Sequence, residues 1–174
     1  MKVLFVIDVQ NDFITGPLGT KEAQAAVYNI RDKIKQFDGR IFATTDAHYA
    51  DYPKTLEGKK LPVPHCQVGT EGQLIPYWIM IELIDKHFIN YKKETFGTFD
   101  YLEDLEELNF REPIEKIEIV GFCTDICVIS NALILRAAFP NIPIEVDAKC
   151  CAGVTPELHE AALKVMKSCQ IDVI

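Results

Sequence analysis

The segment GFCTDICV, residues 121 to 128, sets Cys123 and Cys127 four residues apart inside an otherwise apolar run. Cys-x-x-x-Cys is not the Cys-x-x-Cys spacing of dithiol redox sites. Thr124 is placed to cap a following helix with its hydroxyl, which puts Cys127 in the first helical turn. The helix dipole there favours a thiolate, whereas Cys123 lies before the turn, so Cys127 is the candidate nucleophile. A thiolate needs a neighbour to manage its proton. Asp8 could accept it and later protonate a leaving group, with Lys93 supplying the compensating charge. Taken singly, each residue also has a structural reading: Cys127 as buried filler, Asp8 as a loop cap, Lys93 as a solvated cation.

These residues meet only if the chain carries them to one edge. Residues 2 to 7, KVLFVI, form a branched and aromatic run that suits a strand covered on both faces, ending at Asp8. Further short runs at Arg40 to Thr44, His87 to Tyr91, Lys116 to Val120, Pro143 to Val146 and Ile171 to Val173 read as five more strands. Helical spacing appears from Thr20 (Ala23, Val27, Ile30, Ile34, Phe37, then Gly39), from Thr124 to Phe139, and after Thr155-Pro156-Glu157. Strand-helix alternation predicts a three-layer α/β/α fold with a mainly parallel six-stranded sheet. In such sheets ligands bind beyond the carboxyl ends of the strands, which is where Asp8, Asp46 with His48, Lys93 and the GFCTDIC segment fall. Between about residues 46 and 72 periodicity is lost to Pro53, Gly58, Pro62, Pro64 and Gly69, which predicts a long irregular loop with a function.

The chain of 174 residues supports one domain spanning residues 1–174. A net charge of -8 with no Lys/Arg block argues against nucleic acid or an anionic membrane as partner and favours a small molecule. MKVLFVIDVQ reaches Asp8 after six apolar residues at most, too short for a signal peptide or spanning helix, which predicts a cytoplasmic protein. The 6 cysteines are then expected as free thiols. For the adjacent Cys150 and Cys151, one thiol is expected to pack inward and the other outward around a strand end.

Five segments in order, DVQNDF (8 to 13), TTDAH (44 to 48), PVPHC (62 to 66), KETFGTF (93 to 99) and GFCTDICV (121 to 128), resemble the isochorismatase-like cysteine hydrolase superfamily, and within it the nicotinamidases. The resemblance spans nearly the whole chain and implies an Asp, Lys, Cys triad at Asp8, Lys93 and Cys127. The distance from the lysine to Phe99 selects Lys93 over Lys92. It also implies an oxyanion hole from the backbone amides of Cys123 and Cys127, with a cis peptide between Phe122 and Cys123.

A second set implied by the resemblance is Asp46, His48, Glu57 and His65, two imidazoles and two carboxylates that suit one divalent metal ion: zinc first, with manganese or iron(II) as alternatives. Glu57 stands where many members have a third His, and Asp51 is its rival. The resemblance implies aromatic contacts to a pyridine ring from Phe13 and Phe96, because Leu61, Pro62 and Val63 occupy the stretch where many nicotinamidases carry an aromatic.

The implied reaction is hydrolysis of nicotinamide to nicotinate and ammonia through a cysteine thioester, in NAD salvage, by a homo-oligomeric amidohydrolase. Two other readings stay open. One is a related hydrolase acting on a carbamoyl or other small amide; the other is a non-catalytic protein holding zinc through cysteines such as Cys150 and Cys151.

Overall fold

The structure, a computed structural model, describes residues 1–174. Strand β1 (Lys2–Ile7) lies at its centre, with β2 (Arg40–Asp46), β3 (Ile89–Lys93), β4 (Lys116–Phe122), β5 (Ile144–Ala152) and β6 (Asp172–Val173) completing one sheet in the order β3-β2-β1-β4-β5-β6. Every neighbouring pair is parallel, so the expected mainly parallel sheet is parallel throughout. Parallel neighbours cannot be joined by tight hairpins, and helical crossovers account for the long intervals between strands.

Both faces of the sheet are covered. Leu4 and Val6 of β1 pack with helices α1 (Asn11–Ile14), α2 (Lys21–Gln36) and α4 (Tyr77–Asp85), whereas Val3, Phe5 and Ile7 pack with α5 (Leu102–Arg111), α6 (Ile129–Ala138) and α7 (Pro156–Ser168). This explains why β1 is apolar without alternation: each successive side chain enters a different core. Helix α2 starts where the Thr20 hydroxyl accepts from the Ala23 amide at 3.0 Å, and it buries Ala23, Ala26, Val27, Ile30 and Ile34 along one stripe. Burial of side chains the size of Ile30 and Ile34 stabilises by about 1.5–3 kcal/mol each, so a charge at either would open this layer. Thr155 caps α7 in the same way, accepting from Leu158.

The stretch from 46 to 72 is less irregular than its Pro and Gly content predicts. It holds a 3-10 turn, Tyr52–Lys54, and the short helix α3 (Leu56–Lys60), whose first turn is capped by the Thr55 hydroxyl accepting from Gly58 at 2.9 Å, and a second 3-10 turn, Glu71–Gln73, begins at its end. Cys150 and Cys151 point to opposite faces of β5, but both are buried, because helices cover each face. All six cysteines are free thiols. No helix is long and apolar enough to cross a membrane.

Strand order sets the location of the site. From β1 the chain winds through β2 to β3 on one side, then returns to place β4 on the other, so the crevice between the ends of β1 and β4 is a topological switch point. The two strands approach closely there: Gly121 pairs with Ile7 at φ +128, and a Cβ on it would lie 2.0 Å from the Ile7 carbonyl oxygen. Only glycine fits at that position.

Candidate active site

Asp8 leaves the end of β1 with φ 49 and is wholly buried. From the neighbouring β2, the Thr44 hydroxyl donates to Asp8 Oδ1 at 2.7 Å. Lys93, the last residue of β3, pairs across the sheet with Asp46 and reaches inward to lie 2.6 Å from Asp8 Oδ2 and 3.6 Å from Asp46 Oδ1. Its Nζ also donates to Cys127 Sγ at 3.7 Å. Lys92 is exposed, so alternation along β3 selects Lys93 as the inward lysine.

The ammonium sits beside Asp8 Oδ2 in a buried ion pair. Burial pushes the Asp8 carboxyl above the ordinary aspartate range, and the nearby Asp46 charge adds to this; Lys93 and the Thr44 hydroxyl only partly offset it. A carboxyl displaced upward is a better proton acceptor than a free aspartate. Burial also pushes the Cys127 thiol well above its usual value, and Asp8 raises it further through its charge and by taking a hydrogen bond from the thiol. Desolvation thus works against the thiolate that a helix N-terminus favours, which gives the neighbouring base its part.

Cys127 lies on the turn Thr124–Val128, which is wound as a π-helix ahead of α6. The Cys123 carbonyl accepts from the amides of Ile126 and Val128, both at 3.1 Å, and the Cys127 amide is not among its donors. The peptide between Phe122 and Cys123 is cis, as the resemblance implies. Thr124 does not cap the turn. Its hydroxyl meets His159 Nδ1 of α7 at 2.8 Å, a tertiary partner that displaces the local one. Cys123 is buried as well, and burial lifts its thiol to about 12, but the Lys93 ammonium donates to the sulfur of Cys127.

Asp46, His48 and His65 converge from the end of β2 and the loop beyond it. One ligand-capable atom from each lies within 4.8 Å of the others, and all three residues are buried. Asp46 Oδ2 is 3.0 Å from His48 Nε2 and 3.3 Å from His65 Nε2. His65 Nδ1 faces the Val63 carbonyl at 2.8 Å, and a carbonyl only accepts, so Nδ1 carries the proton and a neutral ring presents a bare Nε2. That lone pair then faces a carboxylate oxygen, an arrangement resolved by a cation between them or a proton on the ring. His48 Nε2 is likewise buried without a hydrogen-bond partner. Burial works against ionisation of Asp46, but the two imidazoles beside it and the charge of Lys93 prevail and hold its carboxyl well below the usual range. The donor set therefore fits a divalent ion.

Glu57 is less well placed than expected. On α3, its Oε1 lies 3.5 Å from His48 Nε2 and 3.7 Å from His65 Nε2, outside the compact trio. Asp51 is exposed at the head of the 3-10 turn.

A cavity of about 940 Å³ opens between the two sets. Cys123 and Cys127 line one wall, Asp46, His48, Glu57 and His65 another, and Phe13 and Phe96 contribute rings. Phe13 is buried edge-on to His65, with ring centroids 5.6 Å apart, whereas Phe96 is 47% exposed at the mouth. A thiol beside a base, across a chamber from a metal-capable set, is equipped for covalent attack on an electrophilic carbon of a small-molecule ligand.

The family model of the isochorismatase domain matches residues 2–174. The chain belongs to the isochorismatase family. A nicotinamidase/pyrazinamidase of Mycobacterium tuberculosis is 26% identical over 187 residues, covering 100% of this chain and 98% of that protein. The crystal structure of a nicotinamidase/pyrazinamidase from Bacillus subtilis has a TM-score of 0.81 at 27% identity, covering 99% of both chains. A pyrazinamidase of Pyrococcus horikoshii in complex with zinc shares the fold, with a TM-score of 0.76 at 23% identity over 99% of this chain and 98% of that one.

Within this family member, sequence reasoning missed residues that hold the site together. Buried Gln10 donates to the Asp46 carbonyl at 2.8 Å and accepts from the Asp46 amide at 2.7 Å, fixing the end of β2. Tyr52 is buried against the rings of His48 and His65 and donates to the Leu61 carbonyl at 2.9 Å. Gln10 lies inside the DVQNDF segment, which could have flagged it; Tyr52 sits among Pro and Gly with no periodicity to mark it.

Proposed function

We propose that this chain hydrolyses nicotinamide to nicotinate and ammonia through a thioester on Cys127. The observation that carries this reading is the pairing of Cys127 with buried Asp8 and Lys93 on one side of a cavity whose other wall carries the Asp46, His48 and His65 donors. The nicotinamidase relatives supply the substrate. Residues 1–174 act as one cysteine hydrolase domain, with the 46–72 stretch as its metal-bearing wall.

Asp8 takes the Cys127 proton, and the sulfur attacks the carboxamide carbon. The amides of Cys123 and Cys127 receive the developing oxyanion, a kind of contribution worth about 3 kcal/mol per donor. Asp8 returns the proton to the departing nitrogen, which leaves as ammonia. Asp8 then accepts a proton from the water that attacks the thioester, and Cys127 is released as nicotinate forms. Lys93 stays charged throughout, because the anionic carboxylates around it outweigh its burial and raise its pKa. It steadies Asp8 and the sulfur by charge.

Asp46, His48 and His65 would hold the metal, with Glu57 nearest among other carboxylates; a bound divalent ion supplies a Lewis-acid anchor for a pyridine nitrogen. Two imidazoles and a carboxylate suit zinc, and the zinc-containing pyrazinamidase that shares the fold supports that choice. Phe13 and Phe96 then flank the ring. The test is ammonia release from nicotinamide before and after chelation, and again after zinc is restored. Release that is lost and regained with metal is expected; none from metal-loaded protein would overturn the substrate assignment.

The size of the cavity, about 940 Å³, favours one second reading, a larger small-molecule amide in the same site. A panel of aryl and carbamoyl amides separates the two by their kcat/KM values.

A further inference from the structure

Asn131 stands one turn beyond Cys127 on α6, fully buried, and no step of the reaction uses it. Its side chain nonetheless makes four hydrogen bonds. Nδ2 donates to the Cys127 carbonyl at 2.8 Å and to the Phe96 carbonyl at 3.2 Å. Oδ1 accepts from the Thr98 amide at 3.3 Å and from the Tyr101 hydroxyl at 3.0 Å. A primary amide offers two donors and two acceptor lone pairs, and all four are used.

Three of these partners belong to the segment between β3 and α5, the loop that leaves Lys93 and carries Phe96 to the cavity. The fourth is the carbonyl of the nucleophile itself. The loop has a second contact with α6 at Gly97, where a Cβ would lie 2.7 Å from Ile134 Cδ1. Phe96 is half exposed, so packing alone does not fix its ring.

We infer that Asn131 is a positioning residue that fastens the Phe96 loop to the nucleophile turn and thereby sets the gap into which a ring-bearing amide fits. Its effect on KM rests on the aryl-amide reading above; its effect on the loop does not. The two ties can be separated chemically. A threonine at 131 still reaches the Cys127 carbonyl, because a helical Thr hydroxyl bonds the carbonyl four residues back. It is too short to serve Phe96, Thr98 and Tyr101 as well. Asn131→Thr therefore releases the loop while keeping the turn.

Four readings on full-length protein decide the matter. Amide exchange in residues 94–101 should rise at least about tenfold in Asn131→Thr, because opening the loop no longer breaks those bonds. Alkylation of Cys127 by iodoacetamide, which carries no ring, should change by less than about twofold. The KM for nicotinamide should rise about tenfold while kcat moves less than about threefold, the pattern of lost ring binding. In a Phe96→Ala background the same substitution should leave KM where Phe96→Ala alone puts it, since residues acting through one contact are not additive.

Unchanged exchange in residues 94–101 would overturn the inference, as would KM effects that multiply in the double variant. If the wild type does not turn over nicotinamide, the proposed reaction has failed, and exchange with alkylation still judge Asn131. Should Asn131→Thr fold poorly, Tyr101→Phe removes one bond to the same Oδ1. It is expected to shift loop exchange in the same direction by a smaller factor, and no shift would count against the inference.

Discussion

Asp8 and Glu118 lie on adjacent strands, both buried and both touched by lysine, yet their carboxyls shift in opposite directions. Glu118 of β4 has Lys33 at 2.6 Å from Oε2 and Lys116 at 3.0 Å from Oε1. Lys33 also meets Asp147 at 3.1 Å, and Lys116 meets Glu145 at 2.8 Å, so every charge in this group has an opposite partner. Both lysines keep a partial view of water, at 22% and 25% exposure. Burial opposes ionisation of Glu118, but hydrogen bonds from its two lysines prevail and hold it below the ordinary glutamate range. Asp8 has one lysine, shares it with Asp46 and sees no water. The chemistry of the groups is the same. Partner count and access to water decide that one charge is settled and the other is left available for proton exchange.

The largest way to break this comparison is to remove the group that the available charge serves. Cys127→Ser should cut ammonia release by at least about 10³-fold while the melting profile stays close to that of the wild type, because a buried hydroxyl replaces a buried thiol of similar size. Near-wild-type turnover would end the covalent mechanism. Asp8→Asn should cost about 10²–10⁴-fold in kcat, the range for loss of a general base. It should also slow Cys127 alkylation, since nothing then draws off the thiol proton. An alkylation rate equal to the wild type's would show that Asp8 is not that base.

What could be read ahead of the structure follows the same division. The strand at residues 2 to 7, the helix starts at Thr20 and Thr155 and the delivery of Asp8, Lys93 and Cys127 to one edge were legible, because each depends on local pattern or on strand order. The role of Thr124 was misread because a residue 35 positions away, His159, outcompetes the local amide. Tyr52 and Asn131 were invisible for a related reason: most of their partners come from other segments, which only tertiary packing brings near. The short helix α3 was missed since one capped turn is shorter than any window in which periodicity can be counted. Glu57 was legible as a carboxylate in the right loop, but its distance from the trio depends on how that loop folds.

On the settled side the effects are smaller and appear in stability. Glu118→Gln should leave nicotinamide turnover within about twofold, because the group contacts none of the cavity residues. It should cost about 1–2 kcal/mol by urea unfolding at neutral pH, as Lys33 and Lys116 each retain a second carboxylate. A fall in activity larger than the fall in stability would mean the two charge groups are coupled through the sheet, and the contrast drawn above would fail.

The finest test uses pH. Glu118 has a folded pKa below its ordinary value of 4.5, so its contribution is complete above that value and is lost as the pH falls through the depressed one. The stability gap between wild type and Glu118→Gln should therefore close only in acid beyond the ordinary carboxyl range. Asp8 runs the other way. It must be ionised to accept the thiol proton, and its pKa is raised above 3.8, so the acid limb of kcat/KM should lie above the ordinary aspartate value, whereas the stability gap closes below the ordinary glutamate value. If the acid limb of the rate and the closing of the stability gap coincide, burial has not separated the two carboxyls, and the proton acceptor must be sought elsewhere.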